Sequence, residues 1–366
     1  MTMDSNFTNT FDSIDVDLGE RYYRGEKAIE EKFTEEIIDL IRQSIDKRFQ
    51  QGQRPARRDA HTFDNGCVSA VFRVDPDLDP GLQHGAFIPG REYQAWVRFS
   101  NGNIEPRSRW WPDARGMAIK LMGVDGRKLI DDETHTQDFI LISHPVFFVD
   151  DLERYKATLE PFLKGGIFDQ YVVSPLRLRG REILLALIVN ARWIGNPLFQ
   201  QYWSMTPYRL GIESPRKTAV KYTAKPHLAR KPGLISRLVA YLAWDFSPKK
   251  EMNDSLAGTE MWFDFYIQRY VDERTPIEDS KVEWDESVAK LEHVAKIIIP
   301  SQDLMSSERD WFCENLSFNP WRCLPEHKPL GLVNRVRKKV YVEISNHRHK
   351  LNQVPPQEPS SAKAAD

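Results

Sequence analysis

Short strand-like segments follow one another closely in the first half of the chain, and this close spacing restricts the possible folds more than any other feature. The segments cover residues 68–74, 93–99, 117–121 and 139–142. Turn-forming dipeptides lie between them: Asp79-Pro80, Pro89-Gly90, Asn101-Gly102 and Asp125-Gly126. Short connections of this kind join antiparallel neighbours, whereas a βαβ unit needs a crossover helix. We therefore predict an antiparallel meander or barrel.

Helical patterns flank these strands. Apolar residues recur at helical spacing within residues 24–50, which predicts an amphipathic helix. Residues 150–215 and the chain from Ser306 onward also have helical character, and residues 334–351 predict a strongly basic helix. Further strand-like segments occur at 219–224, 261–271 and 295–299.

The chain shows no internal repeat and no clear linker. Residues 21–352 are therefore predicted to form one α+β domain, an antiparallel β-barrel wrapped by helices. The polar residues 1–20 are typical of a flexible N-terminal arm, and the Pro/Ser/Ala-rich residues 353–366 of a disordered tail.

The overall charge is close to neutral, with 51 basic and 53 acidic side chains and a formal net charge of −2. This balance argues against a protein that coats nucleic acid. The three cysteines, Cys67, Cys313 and Cys323, form neither a disulfide framework nor a CxxC zinc motif. The N-terminus has no secretory pattern, and the uncharged run at 183–191 is too short to span a bilayer. We expect a cytoplasmic protein.

One face of the basic helix carries two arginines on either side of a tyrosine. Arg337, Tyr341, Ile344 and Arg348 are spaced i, i+4, i+7 and i+11. Flanking cations would stabilise the phenolate and lower the pKa of the phenol. A phenolate is a ligand for ferric iron, and tyrosine is one of the axial ligands that proteins give to haem. The alternative is a solvated basic helix whose tyrosine packs inward.

The C-terminal motifs resemble the proximal haem signature of the catalase superfamily. That signature combines a Phe-x-Pro turn, Arg-x-x-x-Tyr and an arginine seven residues after the tyrosine. The chain has Phe318-Asn319-Pro320, Arg337 with Tyr341, and Arg348. The resemblance implies haem b with ferric iron as cofactor and Tyr341 as its axial ligand. Arg337 would neutralise the phenolate, and Arg348 would reach the haem edge or a propionate.

Four upstream blocks are similar to the other motifs of this superfamily and occur in the same order. They are Arg58-Asp59-Ala60-His61, Val97-Arg98-Phe99-Ser100, the Asp-x-Arg-Gly block that begins at Asp113, and the Pro-x-Phe-Phe block that begins at Pro145. The resemblance spans residues 58–348, although no motif falls between about residues 163 and 262. A catalase-type barrel is the fold it implies.

The resemblance also implies roles on the distal side. His61 would lie over the iron and move a proton between the peroxide oxygens. Ser100 would fix the imidazole tautomer, and Arg58 and Arg98 would pair with propionates. Without the resemblance, a surface or capping histidine is the simpler interpretation of His61.

Several aromatic residues would enclose the site. Phe147 and Tyr155 would line the distal cavity. Trp110 and Trp111 would form a hydrophobic lip or cover the end of the barrel.

One position departs from the superfamily pattern. Catalases place an asparagine three residues before the Pro of the Pro-x-Phe-Phe block, and this chain has Ile142 there. An apolar side chain cannot hydrogen-bond peroxide, which puts fast dismutation of hydrogen peroxide in question. Ser143, or His144 if the loop shifts, would be the substitute; otherwise both residues only finish a strand.

These features predict a haem-dependent oxidoreductase that cleaves the O–O bond of hydrogen peroxide or an organic hydroperoxide. It would belong with small catalase-like haem proteins, in the catalase-related peroxidase or allene oxide synthase-like branch. One alternative is rearrangement of a fatty-acid hydroperoxide, as in catalase-related allene oxide synthases. The other is a haem carrier or sensor without catalysis.

The expected partners are a small-molecule hydroperoxide and, as an open possibility, further copies of the chain, but no nucleic acid. The segment 176–203 carries Arg177, Arg179 and Arg181 before an apolar run at 183–189. It predicts either a peripheral membrane contact or a buried helix with a basic start.

Overall fold

Nine antiparallel strands form the centre of the protein in the computed structural model, which describes residues 13–102, 113–164, 172–190, 195–213, 217–228 and 247–361. Trp110 and Trp111 lie outside these residues. The strands are β1 (Asp64–Val74), β2 (Glu92–Asn101), β3 (Arg115–Met122), β4 (Thr136–Ile142), β5 (Tyr202–Trp203), β6 (Tyr208–Leu210), β7 (Thr218–Pro226), β8 (Met261–Arg269) and β9 (Leu291–Ile299). Their order is β5-β4-β3-β2-β1-β9-β8-β7-β6.

The two-residue strand β5 closes the sheet into a barrel. Ile142 of β4 pairs with Trp203, and on the other side Tyr202 pairs with Ala224 of β7. Eight strands thus form a closed antiparallel barrel, and β6 pairs with residues 218–220 of β7, on the same edge as β5. Closure leaves the backbone groups of the barrel strands paired on both sides.

The helical prediction for residues 150–215 was wrong at its C-terminal end, where β5 and β6 occur. Strands of two and three residues are too short to show a period of two, so the sequence pattern could not reveal them. Tyr202 and Tyr208 are fully buried, and their packing into the barrel overrides local preference.

Aromatic side chains fill the barrel interior. Phe72, Phe87, Phe139, Tyr222 and Phe265 are all buried in one core cluster. Phe139 and Tyr222 meet edge-to-face with ring centroids 5.1 Å apart. Full burial of each ring contributes about 1.5–3 kcal/mol, which makes this cluster a main source of stability.

Six helices longer than one turn pack outside the barrel among the described residues. They are α1 (Lys27–Gln50), α2 (Leu152–Lys164), α3 (Arg181–Asn190), α4 (Pro248–Leu256), α5 (Ser307–Asn315) and α6 (Leu332–Asn352). The predicted amphipathic and basic helices are α1 and α6. Both join α2 in one apolar cluster through Ile37, Ile41, Leu159, Val336 and Ile344. The predicted α+β class with an antiparallel barrel is confirmed.

The described residues near both chain ends contact the rest of the protein. Asp15 and Glu20 are buried, and Glu20 pairs with Arg335 of α6 at 2.8 Å. At the other end, the indole of Trp96 donates a hydrogen bond to the carbonyl of Ser361 at 2.9 Å. At the N-terminal end, buried carboxylates are held by cationic partners, which satisfies their charge.

No helix in the described parts of the chain is long and apolar enough to cross a membrane.

Candidate functional site

A cavity of about 340 Å³ lies between the outer face of the barrel and helices α1, α2 and α6. Its wall is mainly apolar, with a few convergent polar groups, as in most small-molecule sites. Nine of the ten predicted site residues line it: Arg58, His61, Arg98, Ser100, Phe147, Tyr155, Arg337, Tyr341 and Arg348. Motifs that are up to 290 residues apart in sequence therefore meet in one place.

The backbone N–H of His61 donates a hydrogen bond to the carbonyl of Gly102 at 3.3 Å, and two further hydrogen bonds hold the residue in the cavity wall. Its backbone has a left-handed φ of 54°, an uncommon value for a residue with a side chain. The His61 carbonyl accepts a hydrogen bond from Arg98 Nη2 at 3.0 Å, and Nδ1 is hydrogen-bonded to Ser100 Oγ at 3.1 Å. Nε2 has no partner among the described residues, which leaves this nitrogen available to a ligand.

A row of three residues across β2, β3 and β4 lies behind the imidazole. Ser100 pairs with Gly116, and Gly116 pairs with Ile142. Directly paired residues on antiparallel strands point to the same face, so all three face the cavity. A Cβ atom at residue 116 would lie 2.6 Å from His61 Nδ1. Only glycine leaves room for the imidazole to lie against β3.

Ser143 is the one predicted site residue that does not line the cavity. It directly follows Ile142, the last residue of β4. Its Oγ accepts a hydrogen bond from the backbone N–H of Arg115 at 2.9 Å. His144 is buried, and its Nδ1 contacts the backbone of Val146. Neither side chain lines the cavity.

The environment of His61 keeps its imidazole neutral. Burial, together with the nearby cations Arg98, Arg337 and Arg58, lowers the pKa of His61 to about 3. A neutral imidazole has one nitrogen that accepts a proton and one that donates. When Nδ1 donates to Ser100 Oγ, Nε2 carries the free lone pair.

Tyr341 and Arg337 lie one turn apart on α6 and both line the cavity. Among the described residues, none forms a hydrogen bond with the Tyr341 hydroxyl. The Arg337 guanidinium stands over the Phe147 ring at 5.9 Å and donates a hydrogen bond to Asn334 Oδ1 at 3.4 Å. A phenol in a cavity wall without a protein partner is available to bind a metal centre.

An arginine cluster made of Arg58, Arg98 and Arg348 carries more positive charge than its neighbours neutralise. Arg58 and Arg348 share one carboxylate, Glu314 of α5, and the Arg58 ion pair measures 3.3 Å. Arg98 forms no ion pair within the described chain, and its buried Nε has no hydrogen-bond partner. Burial and the two neighbouring arginines lower the pKa of Arg58 to about 9. The cluster therefore fits an anionic ligand.

These observations fit a haem group. The arginine cluster offers guanidinium groups to the two propionates, and the unpartnered Nε of Arg98 is a donor that such a carboxylate would satisfy. Tyr341 could ligate the iron, and the apolar walls suit a macrocycle. The predicted cofactor-binding residues all line this one cavity.

Sequence reasoning missed two acidic residues at this site. Glu314 holds the arginine cluster together but lies in no motif, and a single glutamate in a helix gives no signal. Asp59 lies inside the Arg58–His61 block and lines the cavity, where burial raises the pKa of its carboxyl. Its negative charge acts on Tyr155, so the two groups lie close together. Asp59 could have been predicted, because it is a charged residue that lies in the chain between two predicted site residues, Arg58 and His61.

The cysteines lie away from the cavity. Cys67 and Cys313 pack together in a separate apolar cluster with Trp96. Burial raises the pKa of Cys313 well above its ordinary value, so this thiol stays protonated and unreactive.

Comparison with known proteins identifies the fold. No protein-family model and no curated protein matches the chain. A fungal catalase structure matches with a TM-score of 0.62 and 17% identity over 84% of this chain and 61% of that one. Catalase A from Saccharomyces cerevisiae matches with a TM-score of 0.64 and 17% identity over 87% and 66%. A bacterial catalase matches with a TM-score of 0.64 and 15% identity over 86% and 62%.

The chain spans 61–66% of the length of these catalases. The shared part is the eight-stranded antiparallel barrel with helices on its outer face. Function depends on the residues of the site rather than on the architecture, so the likeness establishes the fold alone. The chain therefore has the catalase fold, as its sequence motifs predicted.

Proposed function

We propose that this protein is a haem-dependent enzyme that processes hydroperoxides. The observation that carries the proposal is the meeting, in one cavity, of an unpartnered tyrosine, an under-neutralised arginine cluster and a neutral histidine. Bound haem would supply an iron centre that activates the O–O bond. Tyr341 would be the axial ligand, and Arg58, Arg98 and Arg348 would hold the propionates.

His61 is the proton carrier in this proposal. Its Nε2 would accept the proton of the hydroperoxide O–H group and return it to the departing oxygen, which would leave as water or an alcohol. Ser100 keeps Nδ1 occupied, so the proton moves only through Nε2. The low pKa of the imidazole means that this acceptor is present throughout the neutral range.

Ile142 supports an organic hydroperoxide as the preferred substrate. It stands beside Gly116, so an apolar side chain lies next to the imidazole. Hydrogen peroxide there lacks the amide donor that catalases provide. An alkyl chain would instead bury apolar surface against Ile142, Val146 and Phe147.

A second candidate is rearrangement of a fatty-acid hydroperoxide without an added reductant. The apolar lining extends away from His61 to Leu159 and Phe162 of α2, which is where a long acyl chain would lie. Under the first candidate the product is an alcohol and a reductant is consumed. Under the second, the conjugated diene is lost with no reductant present.

The deciding experiment begins with the absorption spectrum of the protein expressed with a haem supply. We expect stoichiometric haem and a ferric Soret band in the wild type, and loss or displacement of that band in Tyr341→Phe. Tyr155→Phe is the matched control, because Tyr155 also lines the cavity but is not the proposed ligand. A wild-type protein that takes up no haem, or an unchanged spectrum in Tyr341→Phe, would refute the assignment.

Substrate class is then read from three assays on the haem-loaded protein. We expect slow oxygen release from hydrogen peroxide and faster consumption of an acyl hydroperoxide. Loss of diene absorbance without reductant would select the rearrangement. Stoichiometric haem with no turnover of either peroxide would identify a non-catalytic haem protein and contradict the enzymatic proposal.

A further inference from the structure

The outward face of α3 is apolar and exposed. Leu184, Leu187 and Ile188 are 58%, 47% and 41% exposed, and their i, i+3, i+4 spacing places them side by side. Leu176, the last residue of the short helix Ser174–Leu176 that precedes α3, is 67% exposed. A helix facing water normally carries polar residues on that side, so this apolar surface points to a further partner.

The opposite face of α3 belongs to the site. Leu185 and Ala186 are buried, and Ala186 lines the cavity. Glu182 also turns inward and pairs with Arg154 at 2.9 Å. This single helix therefore separates the cavity from the exposed apolar surface, and an amphiphile bound at one side is within a helix diameter of the other.

The charges beside this surface all have one sign. Within residues 172–190, the exposed charged side chains that the structure describes are Arg177 and Arg179, one and three residues after Leu176. The acidic residue of the segment, Glu182, is buried. Aliphatic side chains flanked by exposed arginines complement the interface of a bilayer that contains anionic lipid.

We propose that Leu176, Leu184, Leu187 and Ile188, with Arg177 and Arg179, form a lipid-docking surface. The aliphatic side chains enter the acyl boundary of an anionic membrane while the arginines contact the headgroups. An acyl hydroperoxide in that membrane then reaches the cavity past α3. This delivery step rests on the proposed function, but the docking itself does not.

Vesicle flotation of the full-length protein tests the docking directly. We expect the wild type to float with phosphatidylcholine vesicles that contain phosphatidylglycerol and to remain unbound with phosphatidylcholine alone. Leu184→Asn and Leu187→Asn should each lower the vesicle partition coefficient by about tenfold. Arg177→Gln and Arg179→Gln should each lower it by about fivefold, and added salt should reduce the wild-type value.

Matched controls come from exposed residues in the connection between β1 and β2. Ile88→Asn removes another exposed aliphatic side chain, and Arg91→Gln another exposed cation. Both should leave flotation unchanged. No wild-type binding to anionic vesicles, or equal losses in the Ile88 and Leu187 variants, would overturn the proposal. It would also fall if the wild type were a dimer without vesicle binding and Leu187→Asn made it monomeric.

A kinetic comparison separates the docking from the proposed function. With an acyl hydroperoxide presented in anionic vesicles, Leu187→Asn should raise the apparent KM by about tenfold, whereas kcat for a water-soluble alkyl hydroperoxide stays unchanged. Flotation without activity on either peroxide would retain the docking surface and refute the proposed function. Activity that does not depend on vesicles or on Leu187 would refute delivery through the membrane.

Discussion

Gly116 supports the imidazole of His61 by having no side chain. A Cβ atom at this position would stand 2.6 Å from His61 Nδ1 and 2.6 Å from Ser100 Oγ, inside the hydrogen bond that joins them. The lack of space at this position therefore explains why the Asp-x-Arg-Gly block has a glycine there. This glycine allows a left-handed residue from the loop before β1 to lie flat on β3.

Gly116→Ala should displace the imidazole and separate it from Ser100. A shift of about 1 Å at a catalytic group costs up to ~100-fold in rate, so hydroperoxide turnover should fall by about that factor at equal haem content. Rapid-mixing kinetics at matched Soret absorbance measures the loss. Unchanged turnover in this variant would show that His61 is not positioned by β3.

Gly258→Ala is the control for this substitution. Residue 258 also has backbone that favours glycine, with φ of 72°, but nothing lies within 4 Å of the added methyl group. It should cost about 1 kcal/mol of unfolding free energy and leave turnover unaltered. The pair therefore separates loss of stability from loss of site geometry.

Ile142→Asn should restore part of the catalase reaction. The new amide would face the cavity from β4, beside Gly116, because Ile142 already occupies that face. One added hydrogen bond to the peroxide in the transition state is worth about 1.4 kcal/mol, so oxygen release from hydrogen peroxide should rise about tenfold. Ile142→Val, which changes the side-chain size without adding a donor, should show no gain. Equal oxygen release by both variants would contradict the role assigned to this position.

Some residues of the site could be predicted from the sequence and others could not, for physical reasons. A motif such as Arg58–His61 fixes the relative chain positions of its side chains, and nine of the predicted site residues line one cavity. Ser143 does not line it, because it follows the last residue of β4 and its Oγ accepts a hydrogen bond from the Arg115 backbone. The end of β4 is set by its pairing with β3, which the local sequence does not show. Glu314 could not be found, because its function arises only where α5 meets two distant arginines.

The helical content was predicted less well where tertiary packing decides the structure. The helices α1 and α6 have long amphipathic patterns, and both predictions were confirmed. The strand β5 has two residues, which pair with β4 on one side and with β7 on the other and so close the barrel. Its sequence, Tyr202-Trp203, has no period that could reveal this.

The pH dependence of turnover should lack the usual histidine transition. Burial and the surrounding arginines lower the pKa of His61 to about 3, below the ordinary value near 6.5. Protonation of Nε2 would remove the proton acceptor, and with this pKa it occurs only well below neutral pH. We expect kcat/KM for the hydroperoxide to stay level from about pH 8 down to about pH 5.

A fall in kcat/KM centred near pH 6.5 would contradict this electrostatic account of His61. His61→Gln provides the reference rate, because glutamine keeps polarity but cannot accept the proton. The difference between the two profiles isolates the contribution of the imidazole. That difference should be as large at the acidic end of the range as at neutrality.

Glu314→Gln should destabilise the fold strongly, because it leaves Arg58 and Arg348 without their shared carboxylate. Removing one partner of a buried ion pair costs about 3–5 kcal/mol, whereas Glu153→Gln, which breaks an exposed pair with Arg24, should cost less than about 1 kcal/mol.

The arginines hold the pKa of the Glu314 carboxyl below its usual value despite its burial. Its stabilisation is therefore present above the unfolded-state pKa and is lost as the pH falls through the folded-state value. Urea unfolding at neutral and acidic pH should show that Glu314→Gln loses stability at neutral pH and loses part of the acid dependence. If Glu314→Gln and Glu153→Gln unfolded at the same urea concentration, the arginine cluster would not depend on Glu314 for its charge balance.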